Sequence, residues 1–227
     1  MRRREVLGGT SIVVLSQFLG GCGGNSASFR YRMTVEVETP QGIKSGSSVM
    51  EIIAERQEQV LSEARPMIST VRGEAVVVDL PSGPLFVLLQ MPDARTTYIS
   101  AVTYALAPDL REGGWQPFWK AVNRLGGWFG GATGDVPRED WPMMVRFRDI
   151  HDPKSVERVD PEAVGVKRIR IETTSDDVTT GIEKRLRWLV RQRGSLTRRL
   201  SAPDPTNPPL SAQLTEMAFS TEINRGQ

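Results

Sequence analysis

In residues 29–40, FRYRMTVEVETP, apolar and polar side chains alternate without a break from Phe29 to Glu38. Phe29, Tyr31, Met33, Val35 and Val37 fall at one set of positions, and Arg30, Arg32, Thr34, Glu36 and Glu38 at the other. Successive side chains of a strand point to opposite faces, so this spacing predicts a half-buried strand with one wet face. Pro40-Gln41-Gly42 then reads as a turn, and SGSSVMEIIAE (45–55) as a second strand paired to the first in a hairpin.

The remaining elements follow from period and punctuation. GEAVVVDLPSGPLFVLLQM (73–91) places two continuously apolar runs around Pro81-Ser82-Gly83-Pro84, a hairpin expected to be central in the core. TTYISAVTYALAP (96–108) predicts a short helix capped by Thr97 and ended before Pro108. Trp115, Phe118, Trp119, Val122 and Leu125 recur at helical spacing and predict a second helix over 115–125. GGWFGGATG (126–134) reads as a loop, and 142–150 and 166–174 as strands, with Ile169 and Ile171 inward. Thr180-Gly181-Ile182-Glu183 has capping-box spacing and predicts a helix to about Arg193, stopped by Gly194. Pro203, Pro205, Pro208 and Pro209 predict an extended tail, with a last edge strand over 214–222. Strand runs kept apart from helices indicate an α+β fold: a mainly antiparallel sheet of hairpins, about three helices and an extended C-terminal tail.

The N-terminus has a different logic. Arg2, Arg3 and Arg4 precede a run from Val6 to Leu19 of about 14 residues, short of the roughly 20 that span a bilayer. Basic, then apolar, then small residues is the order of an export signal. Arg3-Arg4-Glu5-Val6-Leu7 resembles the twin-arginine motif, and Leu19-Gly20-Gly21-Cys22 resembles a bacterial lipobox. The resemblance implies cleavage before Cys22, acylation of its thiol and a lipid-anchored, periplasm-facing protein. Gly23 in place of Asp leans toward the outer membrane. The expected organisation is a signal peptide at 1–21, a lipidated tether at 22–28, one α+β domain at 29–200 and a Pro-rich tail at 201–227. The segments FRYRMTVEVETPQGIKSGSS, VRFRDIHDPKSVERVDPE and DDVTTGIEKRLRWL are similar to those of a group of uncharacterised bacterial proteins, a resemblance that implies no functional residue.

Charge and cysteine usage narrow the function classes. Taking Arg2, Arg3, Arg4 and Glu5 from 29 basic and 27 acidic residues leaves 26 of each, which argues against a nucleic-acid partner. One cysteine permits no internal disulfide, and one histidine is a poor basis for zinc, haem or iron–sulfur chemistry, so no cofactor is expected. The glycines of 126–134 lack the Lys of a phosphate loop and end in Asp135. Asp176, Asp177, Thr179 and Thr180 lack the order of a calcium loop.

Two surface features remain as contact candidates. Lys184, Arg185, Arg187, Arg191 and Arg193 form a basic stripe on the expected third helix, suited to anionic headgroups or an acidic envelope protein. Trp128 and Phe129 at a loop tip either tuck into the core or form an exposed aromatic patch for a partner or a glycan. The leading expectation is therefore a lipid-anchored, non-catalytic interaction module. The alternative is an envelope hydrolase using Asp149 or Asp152 with His151, although His151-Asp152-Pro153 also has the composition of a turn.

Overall fold

A computed structural model describes residues 24–57, 67–93, 95–111, 114–127, 131–197 and 208–223. The strands are β1 (Ser26–Thr39), β2 (Gly42–Arg56), β3 (Met67–Arg72), β4 (Val76–Leu80), β5 (Gly83–Val87), β6 (Thr133–Asp135), β7 (Met144–Phe147), β8 (Val156–Arg158) and β9 (Val166–Thr173). The helices are α1 (Tyr98–Leu106), α2 (Trp115–Gly126) and the single turn α3 (Leu210–Gln213). Strands pair in the orders β3-β2-β1-β9-β6 and β4-β5-β7-β8, and the pairings are antiparallel. The fold is α+β.

The alternation of 29–40 does what its period dictates. Phe29, Tyr31, Met33, Val35 and Val37 are all buried, and the arginines and glutamates between them line the outer face. The Tyr31 hydroxyl meets that of Tyr98 at 2.9 Å, which satisfies two buried phenols. Burial raises the pKa of both well above the ordinary phenol value, so both stay neutral. Pairing begins at Ser26 opposite Glu55, so part of the expected tether is already strand.

Two covers close the inner face of the five-stranded sheet. The helices α1 and α2 lie on it, α2 toward the Ser26 end of β1. The β4–β5 hairpin covers the rest and, as expected, is central. Its Leu85 and Val87 join the core beneath α1 and α2, while Phe86 and Leu88 face a second core with Val145, Leu186, Leu189, Leu214 and Phe219. A strand buried on both faces reads as a continuous apolar run, which explains the sequence of 84–89.

The helix α1 starts at Thr97, whose hydroxyl accepts from Ser100 N at 3.1 Å, and it ends before Pro108. In α2, Phe118, Trp119, Val122 and Leu125 are buried, but Trp115, expected on the same face, is 39% exposed. The 126–134 segment is not wholly loop, since Thr133–Asp135 pairs with β9. A Cβ on Gly134 would sit 2.3 Å from the Ala105 carbonyl oxygen, so that glycine serves close packing against α1.

Two expectations fail. Residues 180–193 are not one helix but two 3₁₀ segments, Ile182–Lys184 and Arg187–Arg191. Gly181 lies at φ 116°, outside helical space, and Leu186 at φ −107°, ψ 73° breaks the chain again. The break lets Ile182, Leu186 and Leu189 all reach the second core, leaving Val190 41% exposed. Residues 214–222 do not form an edge strand; their strand-type pairing is limited to the isolated bridges Ser195–Thr215 and Glu74–Ser220, with scattered backbone hydrogen bonds besides. The stretch 208–223, read as extended tail, contains only short helical turns but is anchored. Leu214 and Phe219 are fully buried, and Ala75 N donates to the Phe219 carbonyl at 2.8 Å.

Candidate functional site

The His151 region is a turn. The Asp149 carboxylate accepts from His151 N at 2.9 Å, and that of Asp152 from Lys154 N at 2.9 Å. The Ser155 hydroxyl donates to the carbonyls of Asp149 and Asp152, both at 2.7 Å. Short Asp side chains bonding their own backbone two residues on is what favours Asp in turns. No side-chain hydrogen bond joins His151 to either carboxylate, and none of the three lines the clefts described below.

Asp176, Asp177 and Thr179 are likewise occupied. Asp176 pairs with Arg32, and Asp177 with Arg30 at 3.2 Å. The Thr179 hydroxyl accepts from Val49 N of β2 at 2.8 Å, and the 3₁₀ segment from Ile182 has no side-chain cap from Thr180. Among the described residues no group of three or more His, Cys, Asp or Glu is placed to hold a metal ion, and no helix is long and apolar enough to cross a membrane.

The basic stripe survives the loss of its helix but divides. Arg185 is neutralised by a two-pronged pair with Asp79, at 2.6 and 2.7 Å. Arg193 turns back onto the Val190 and Gln192 carbonyls. Lys184, Arg187 and Arg191 are exposed, with no carboxylate within 4 Å among the described residues. Arg187 and Arg191 flank Trp188, and with Gln192 these four line an open cleft of about 460 Å³.

Trp188 is fixed from below. Its indole N–H donates to the Ile150 carbonyl at 3.0 Å, and its ring meets Phe147 and Phe219 edge-on at 5.7 and 5.9 Å. The structure thus sets the 149–152 turn beside the basic ledge, a juxtaposition that separation in sequence conceals.

Sequence reasoning missed Glu74. Its carboxylate is buried and accepts from Ile182 N at 2.8 Å and from the Ser220 hydroxyl at 3.2 Å. It satisfies the turn amide that a Thr180 cap was expected to serve, and so sets where the basic ledge begins. Burial pushes its pKa up; the bonds from Ile182, Gly181 and Ser220 oppose this only in part. A raised carboxylate pKa means that the folded state binds more protons, so stability from this group falls as pH rises from the ordinary carboxylate range through the raised value. Glu74→Gln keeps an accepting oxygen and removes the charge. Wild type minus variant should therefore show stability declining across that window in urea titrations at successive pH; an unchanged difference would remove the assignment.

A second cleft of about 440 Å³ lies near the start of β1, lined by Ser28, Arg30, Glu51 and Thr174 among others. Its charges are committed: Glu51 lies 3.1 Å from Arg72 and accepts from the Ser28 hydroxyl. Cys22, Trp128 and Phe129 lie outside the described residues. Comparison with protein-family models, curated proteins and solved structures finds no match to this chain.

Proposed function

We propose that the chain is a lipid-anchored bacterial envelope protein whose domain binds an acidic envelope protein through the ledge Lys184–Arg187–Trp188–Arg191, with no chemistry of its own. The observation that carries this reading is a pair of unpaired arginines around a tryptophan already locked by its neighbours. Trp and Arg are the residues that most often dominate interface energy, and a fixed side chain loses little entropy on binding. The anchoring half rests on the Arg2–Cys22 signal and the start of strand structure at Ser26.

Crosslinking in cells with the native, anchored protein tests the reading. One dominant adduct is expected, and it should disappear when Arg187 and Arg191 become Glu. At about 1.4 kcal/mol for each arginine, the double reversal weakens binding on the order of 100-fold. An adduct indifferent to both changes, or no adduct from correctly anchored protein, rejects the ledge as a binding face.

A further inference from the structure

The end of the five-stranded sheet where the N-terminus enters carries an aromatic and basic cluster that the ledge does not account for. The Asn25 carbonyl accepts from Arg56 N at 2.7 Å, which ties the incoming chain to the last residue of β2. The Arg56 guanidinium lies 4.3 Å from the Trp119 ring centre and 6.0 Å from that of Trp115. Among the described residues no carboxylate lies within 4 Å of Arg56. Trp115 is 39% exposed beside it, and Ile68, paired with Glu55 at the same end, is 44% exposed.

Cys22 precedes Asn25 by three residues, and three residues span at most about 11 Å. If acyl chains hold Cys22 at a bilayer, the Asn25–Arg56 end has no room to stand away from it. Trp suits the boundary between headgroups and acyl chains, with an apolar ring and a polar N–H, and Arg suits lipid phosphate. Charge agrees with position, since Arg56 is exposed at this end and its guanidinium has no carboxylate within 4 Å among the described residues.

We propose that this end, with Arg56 and Trp115 on one side of the sheet and Ile68 on the other, is a bilayer-contacting edge that seats the domain upright on the membrane, which leaves the ledge of the second core for protein partners. The proposal rests on lipidation of Cys22. Its occupant is the headgroup region of a phospholipid bilayer containing anionic lipid.

The test uses the full chain, purified in its anchored form and reconstituted in vesicles of phosphatidylethanolamine and phosphatidylglycerol. A benzophenone amino acid replaces Trp115 in one sample and Ile43 in another. Ile43 is 68% exposed and sits thirteen residues before Arg56 on the same strand, about 43 Å away. Illumination should give lipid adducts from position 115 and none from position 43. Intact mass separately reports whether Cys22 carries lipid. A lipidated protein with equal adducts at both positions, or adducts at 43 alone, overturns the seating and leaves the anchor standing. An unmodified Cys22 overturns the anchoring reading and the seating with it.

Discussion

Gly46→Ala should destabilise the domain by about 3 kcal/mol or more, at the upper end of the range for overpacking. In β2, Gly46 lies where that strand crosses β4 of the other sheet. A Cβ built there would sit 2.0 Å from the Val77 carbonyl oxygen, 2.8 Å from its carbon and 3.2 Å from Val78 Cα. All three are backbone atoms, so no rotamer change relieves the clash. Either the sheets separate, opening the core that Val76 and Val78 share with Met33 and Met50, or β2 loses its register with β1. A fall in the urea midpoint with unchanged slope would show the expected loss of stability. A shift equivalent to under about 1 kcal/mol would mean that the crossing has more slack than its geometry implies.

Phe219→Ala should lower stability by about 3–5 kcal/mol, the range for emptying a buried aromatic site. Phe219 has no exposed surface, and its ring meets Phe86, Phe147 and Trp188 at 6.3, 5.8 and 5.9 Å. It is also the pin of the returning chain, flanked by Leu89 N donating to the Ala218 carbonyl and Thr221 N to that of Gly73. Its loss should therefore loosen Trp188 as well as the tail, and the near-ultraviolet circular dichroism of the aromatic cluster should weaken. Met217→Ala is the control. That side chain is 61% exposed, and its removal should change stability by less than about 0.5 kcal/mol. Equal effects at 217 and 219 would contradict the packing described.

The basic ledge shows where local pattern stops being informative. Thr180 and Glu183 have capping-box spacing, and Ile182, Leu186 and Leu189 have roughly helical spacing. Yet the amide of Ile182 bonds to Glu74, which is 108 residues away in sequence. A buried carboxylate needs donors wherever the fold can provide them, and that need outweighed a cap worth about 1 kcal/mol. The same non-locality hid the exposure of Trp115. Helical spacing places it beside Trp119, but only the arrangement of α2 over the end of β2 leaves its ring half out beside Arg56.

Elements whose stabilising contacts lie within a few residues were legible in advance. The two hairpins, the Thr97 cap, the stop before Pro108 and the inward faces of β1 and β9 all follow from period, turn residues and caps, which act locally. Sequence alone also settled that the fold stands without a disulfide, since there is one cysteine. Tertiary structure decided the rest: that β5 serves two cores, that 208–223 returns to seal the second, and that the 149–152 turn abuts the basic ledge. Those outcomes depend on which distant groups compete for the same buried space and the same hydrogen bonds, and no short window of sequence contains both competitors.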